Sequence, residues 1–451
     1  MNKIIFIIMF SLVLSGCQQA TMEQNVEVTA IPQPTPALTS TPSPEPTTIH
    51  PTPTQPAATS TPAAIVDSCV IGEPGIAKSD LEGRLVLEHF WWDGPITANS
   101  ITTAFLYDFA ANDLLTIRVP GELMKAIGVS PDGQYLLYKY DSGTDDEYRV
   151  AVTDYTGTVI SDFDDRILPE IWWSYYQWQS KDILRVVVLL KNQTLPRIYN
   201  VFTQDYMPLK TDWPYAHKGK GVEWGLDERA MSSLYYDGAN IVYDPSITRV
   251  VYPKRGQTVS LTDVETGQEL ASIELPLWGR LPRWSPDGQN LVLIASMESK
   301  GVPGRDEFFI ISRDGPEFKR LTHLTEKLET VHVSEYAWSP DGSQIAFWLN
   351  ADADDPNLEG TQSELAILDI ASGEITKLCI EGISAPIRSD PMPLMTRTQP
   401  IWSPDGRQIV FTQLNPSLTN TYDVLVLDLE TKTVFKVTSN KQPVGWMVSL
   451  P

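Results

Sequence analysis

The sequence predicts an all-β chain in which small four-stranded antiparallel sheets repeat around a ring. Three observations lead there. A ten-residue phrase recurs as VSPDGQYLLY from Val129, WSPDGQNLVL from Trp284, WSPDGSQIAF from Trp338 and WSPDGRQIVF from Trp402. A second phrase follows the first, as in ELAILDIASGEITKL from Glu364 and DVLVLDLETKTVFKV from Asp423. The pair returns at intervals of roughly 45 to 65 residues.

Each phrase encodes a hairpin. In SPDG, Pro pre-sets φ for the first central turn position, Asp suits the second, and Gly accepts the left-handed conformation that closes a tight link between strands. The residues that follow are apolar runs of strand length, QIVF, QIAF, NLVL and YLLY. In the second phrase an Asp, often with Thr or Ser and Gly behind it, turns between two short strands. One four-stranded sheet cannot bury both of its faces. Stacking such sheets radially does so, and closing the ring removes all but short edges. The predicted fold is a single β-propeller.

Along the chain, residues 1–16 read as a signal peptide. Lys3 provides a positive start, and the apolar run from Ile4 to Leu14 is too short for a mature membrane span. Leu14-Ser15-Gly16-Cys17 resembles the lipobox of bacterial lipoprotein signals, which implies cleavage before Cys17 and a diacylglycerol on its sulfur. Residues 17–65 are dominated by Pro, Thr, Ser and Ala, the composition of an extended stalk that reaches on the order of 100 Å. Residues 66–451 carry the repeats. The unit from Arg84 has strands two to four but lacks a WSPDG hairpin before it. The C-terminal stretch 443–450 is therefore expected to supply its innermost strand, with Trp446 in the place of the repeated tryptophan. That gives seven blades. Six would require 172–213 or 240–275 to be something else. Besides Cys17 there are two cysteines, Cys69 and Cys379, which in an exported chain are either paired or buried as free thiols.

WSPDG followed by a strand, three times intact, resembles the propeller repeat of the TolB family, related to WD40-like repeats. The resemblance covers about residue 80 to the end. It implies the fold and contacts with protein at the cell envelope, but the family's separate N-terminal domain is replaced here by the stalk. Function is not implied by the fold itself. In such a blade the short stereotyped turns share one face, while the longer, varied connections share the other, where a scaffold places binding residues. On that second face Trp91, Trp92, Trp213, Trp278, Arg280, Arg388 and Arg397 are the candidate binding residues, since Trp and Arg serve as interface anchors. The loop from Ala351 offers Asp352, Asp354, Asn357 and Glu359 as oxygen ligands for calcium. Against it stand the missing EF-hand glycine and Ser363 at the twelfth position, so no resident cofactor is expected.

The formal net charge of −23 excludes a phosphate-backbone binder, because no basic stripe is present to displace counterions. Contact with a membrane is expected through the lipid only. The chain has no Gly-x-Ser-x-Gly elbow, no His-Glu-x-x-His and no phosphate-binding glycine loop, so an enzyme is not expected. The expectation is a monomeric, membrane-tethered lipoprotein outside the cytoplasm, at the cell surface or in the periplasm. It would bind a protein, a peptide or a cell-wall glycan as an adaptor. The alternative is a propeller hydrolase or lyase whose carboxylates converge at the channel mouth.

Overall fold

The computed structural model describes residues 64–70, 75–76, 81–89, 104–117, 120–143, 148–164, 171–178, 180–190, 193–207, 242–253, 258–276, 279–297, 305–315, 317–351, 362–383, 399–415 and 422–449. Their strands hydrogen-bond into seven sheets. From the innermost strand outward, sheet one is Lys441–Met447, Arg84–His89, Ala104–Asp108 and Asp113–Thr116; sheet two is Glu122–Val129, Tyr135–Asp141, Tyr148–Asp154 and Val159–Asp164. Sheet three is Ile171–Trp178, Ile183–Leu190, Gln193–Asn200 and Asp205–Met207; sheet four is Val242–Tyr243, Arg249–Pro253, Thr258–Asp263 and Glu269–Glu274. Sheet five is Gly279–Trp284, Asn290–Ser296, Asp306–Ser312 and Phe318–Arg320. Sheet six is His332–Trp338, Gln344–Asn350, Gln362–Asp369 and Ile375–Ile383, with Ile65–Asp67 added outside it. Sheet seven is Ile401–Trp402, Gln408–Leu414, Tyr422–Asp428 and Thr433–Ser439, with Gly75–Ile76 added outside it.

The ring follows from how the apolar runs divide. A strand's side chains alternate between faces, and the second strands are buried on both. In sheet five, Val292 and Ile294 pack toward sheet six with Ile345 and Phe347, while Leu291 and Leu293 pack toward sheet four with Val251 and Leu261. Ala346 and Trp348 then face sheet seven, meeting Ile409 and Phe411. Val410 and Val424 of sheet seven meet Leu85 and Leu87 of sheet one, and Val86 faces sheet two beside Tyr138. Further layers join sheet two to three through Leu137 and Leu184, and three to four through Ile183 and Val250. Each layer joins a sheet to its neighbour and the last returns to the first. The fold is a β-propeller.

Closure falls to the C-terminal segment. Lys441–Met447, starting two residues before the expected stretch, pairs antiparallel with Arg84–His89. Trp446 is 4% exposed, stacks on Phe109 at 4.7 Å between ring centroids, and donates from Nε1 to the Glu82 carbonyl at 3.0 Å. The other repeated indoles donate instead to the innermost strand of the sheet before their own: Trp178 to Gly128, Trp284 to Val242, Trp338 to Arg283 and Trp402 to Ala337. Beyond the strand, the Val448 amide donates to the Gly133 carbonyl at 2.9 Å, which pins the chain's end onto sheet two.

The four SPDG turns share one geometry. Each serine hydroxyl donates to the aspartate two residues on, at 2.5 to 2.6 Å, and the glycine amide returns to the serine carbonyl. Gly288, Gly342 and Gly406 have φ near +70°, the conformation that requires glycine.

Two added strands were not foreseen. Ile65–Asp67 runs parallel to Ile375–Lys377, and Gly75–Ile76 runs parallel to Phe435–Lys436. Cys69 and Cys379 are joined by a disulfide with their Cα atoms 4.8 Å apart.

Candidate functional site

The face that carries the SPDG turns is occupied by its own contacts, turn against turn. Pro286 lies beside Gly342, and Pro340 beside Gly406. The opposite face carries the inter-sheet connections, and the longest one described throughout is that between sheets five and six, Leu321 to Val331. Polar side chains gather there because the strands Asp306–Ser312 and His332–Trp338 both begin at this edge.

Glu307 is fully buried. Its carboxylate accepts from the Arg320 guanidinium at 2.7 Å and from the Thr322 hydroxyl at 2.5 Å. It also accepts the Leu324 amide at 3.1 Å, and both the amide and the hydroxyl of Thr325 at 2.7 Å. A buried carboxylate is tolerated only when paired and hydrogen-bonded. Glu307 meets that condition by folding the connection around itself as a short 3₁₀ turn, Leu324–Glu326. Beside it, Asp306 accepts the Val333 amide at 2.9 Å and lies 3.1 Å from His332 Nδ1. Outermost are His323 and Glu326, 2.8 Å apart, with Arg320 3.1 Å from the same carboxylate oxygen. The hydrogen bond from His323, aided by Arg320, holds the Glu326 carboxyl below its usual range.

Nearer the channel, Arg283 and Glu335 link the innermost strands of sheets five and six at 2.6 Å, and both side chains are about a quarter exposed. Arg283 also lies over the Tyr336 ring, 4.7 Å from its centroid. The register shifts between Arg280 and Arg283 and again between Val333 and Tyr336, and bulges of this kind re-aim side chains. The Tyr336 hydroxyl sits 2.6 Å from the Leu281 carbonyl and 2.8 Å from that of Val292. A third polar link bridges sheets one and two: the buried Glu88 accepts the Ala126 amide at 2.6 Å and the Gln442 side-chain amide at 3.1 Å.

Chemically, the rim between sheets five and six presents an oriented imidazole, His332, and a half-buried His–Arg pair around the exposed Glu326 on a braced loop. That suits polar recognition. Among the described residues no group of three or more His, Cys, Asp or Glu is arranged to hold a metal ion. His323 and His332 stand in no spacing motif in the sequence. The available signal was Asp306-Glu307 opening an apolar strand, because acids at that position must find partners in the next connection.

Of the residues named from sequence, Trp91, Trp92, Trp213, Trp278, Arg388 and Arg397 lie outside the described residues, as do Cys17 and the calcium candidates Asp352, Asp354, Asn357 and Glu359. Arg280 is corrected in position. It belongs to the innermost strand of sheet five, paired with Ile294, because pairing continues up to Gly279.

No family model matches the chain. A Bacillus subtilis (strain 168) protein described as the uncharacterized peptidase YuxL is 26% identical over 170 residues, covering 32% of this chain and 22% of its own length. The chain thus spans under a quarter of that curated relative. Among solved structures, TolB from Acinetobacter baumannii is 12% identical with a TM-score of 0.41, covering 81% of this chain and 67% of that one. Oligogalacturonate lyase from Vibrio parahaemolyticus is 12% identical with a TM-score of 0.44, covering 79% and 86%. The chain's structural neighbours are TolB-like and related propellers.

Proposed function

We propose that the chain is a membrane-tethered, extracytoplasmic β-propeller that binds a protein, a peptide or a cell-wall glycan at the cell envelope. The observation that supports this is the division between its two faces. The SPDG turns are alike and packed turn against turn, whereas the connections to the opposite face differ in length and sequence and, between sheets five and six, carry polar groups on a braced rim. A rigid ring that presents varied connections is built for recognition. The charge of −23 directs it toward neutral or basic partners rather than polyanions.

The test is capture from envelope extracts with the chain starting at Gln18, beside a variant carrying His323→Ala and Glu326→Ala. Retention of one envelope component by the first and its loss by the second is expected. Equal retention by both would remove the rim from the reading. Tethering is tested separately: Cys17→Ser should move the protein from the membrane pellet to the soluble fraction.

A further inference from the structure

We propose that the Cys69–Cys379 disulfide makes sheet six the mechanical attachment point of everything N-terminal to it, and so keeps load off the seam that closes the ring. The biological sense of this rests on the tethered reading above.

The argument is one of load path. The segment preceding the ring touches three sheets in succession. Ile65, Val66 and Asp67 pair in parallel with Ile375, Thr376 and Lys377, flanked by the Ile375 amide on the Ala64 carbonyl and the Ser68 amide on the Lys377 carbonyl. The Val70 amide donates to the Leu378 carbonyl at 3.1 Å. Gly75 and Ile76 then pair with sheet seven, and Arg84 enters sheet one. Arg84–His89 is the strand whose inner neighbour is the C-terminal Lys441–Met447. A pull on residue 64 without the disulfide would peel these short pairings one after another and arrive at the strand that makes the closure. Three-residue and two-residue pairings resist peeling poorly, since each hydrogen bond contributes only about 1 kcal/mol net.

With the disulfide the path ends at Cys69. Load crosses into Cys379, on the strand Ile375–Ile383, which is paired along both ends with Gln362–Asp369. The local structure serves this junction. The register of that pairing shifts between Glu364 and Ala366, so the partner strand bulges at residues 378–380, and Cys379 sits in the bulge with φ +56°. Its amide is held by Glu364 Oε1 at 3.0 Å, and the other carboxylate oxygen of Glu364 lies 2.8 Å from Lys377, which also reaches Asp67 at 3.6 Å. Cys379 is thereby turned outward to the incoming segment on a braced kink. Both cysteines are exposed, so a soluble reductant can reach the bond in the folded protein.

The experiment is single-molecule pulling on the chain starting at Gln18. One handle is at its N-terminus and the other on a click-reactive residue replacing Gln268, in the exposed turn of sheet four. Oxidised molecules should lengthen early only by the residues ahead of Cys69, 64 through 68, on the order of 17 Å of contour at ~3.4 Å each. Reduction in place, on molecules already folded, should add a further low-force release of up to about 50 Å of contour, the ~15 residues from 69 through 83. A double variant, Cys69→Ser with Cys379→Ser, should reproduce the reduced trace. The proposal is overturned if oxidised molecules show the same further release, or if reduced molecules rupture without it. The measurement needs no lipid, so a failure of tethering and a failure of the load path give different results.

Discussion

Replacing Trp446 with alanine tests the closed ring. The indole is 4% exposed, stacked on Phe109, and bonded through Nε1 to the Glu82 carbonyl. Removing about 200 Å² of aromatic surface from water contributes ~5 kcal/mol at about 25 cal/mol per Å², and buried Trp→Ala changes cost about 3–5 kcal/mol in practice. We take ~4 kcal/mol. A ring of about 390 residues has an unfolding entropy near ~0.8 kcal/mol/K, so the melting temperature should fall by about 5 °C. The companion variant is Trp284→Ala. That indole is 9% exposed and bonded to the Val242 carbonyl at 3.2 Å, between two sheets that are consecutive in the chain. In a closed ring the two interfaces are equivalent, so calorimetry should show similar losses. If Trp446→Ala melts within about 1 °C of the parent while Trp284→Ala loses about 5 °C, the C-terminal strand does not carry the closure and the reasoning is refuted.

Glu307→Gln keeps the shape but removes the charge that answers Arg320 and turns amide hydrogens toward donors; a broken buried pair costs about 3–5 kcal/mol. Amide exchange across residues 321–331 should accelerate, and unchanged exchange there would sink the bracing role. Three turn carboxylates are held below their usual range by hydrogen bonds: Asp263 by the Thr266 amide and hydroxyl, Asp341 by the Ser339 hydroxyl and the Ser343 amide, and Asp369 by the Ser372 amide and hydroxyl. Because the folded pKa lies below the unfolded value of about 3.9, this stabilisation is complete above that value and is lost as pH falls through the folded one. The melting temperature should hold from about pH 7 to about pH 5 and drop below about pH 4, less steeply with Asp341→Asn and Asp369→Asn together; identical acid slopes would count against it. Gly382→Ala would place a Cβ 2.0 Å from the ring of the fully buried Trp348, whereas at Gly315, whose φ is not positive, Gly315→Ala meets nothing nearer than the Glu317 amide nitrogen at 3.9 Å. Overpacking of about 1–3 kcal/mol or more is expected at the first, with a shift in tryptophan emission, and equal melting of the two variants would contradict the packing described.

Reading the fold from sequence worked where one physical problem is solved repeatedly. WSPDG was legible because every sheet needs the same corner, and the strand after it was legible because burial on two faces leaves no polar position, as in Ile345 to Leu349. Even the closing strand could be found, since Trp446 repeats a residue whose role was fixed elsewhere in the ring. The polar rim was not legible, because Glu307 and the connection it braces meet through tertiary contacts 13 to 18 residues apart with no recurring spacing.

The added strand at Ile65 failed to appear for a different reason, and the difference bears on how the protein is built. Three residues, IVD, carry no period, and their partner is 310 positions away in parallel register. Alone, such a pairing is marginal: fixing three backbones costs about 1–2 kcal/mol each, against about 1 kcal/mol per hydrogen bond and the packing of Ile65 on the core. A covalent partner close by strengthens it, and Cys69 stands two residues beyond Asp67. The short strand and the disulfide are one device. The cysteine holds the strand in place, and the strand aligns the cysteine with the outward kink at Cys379.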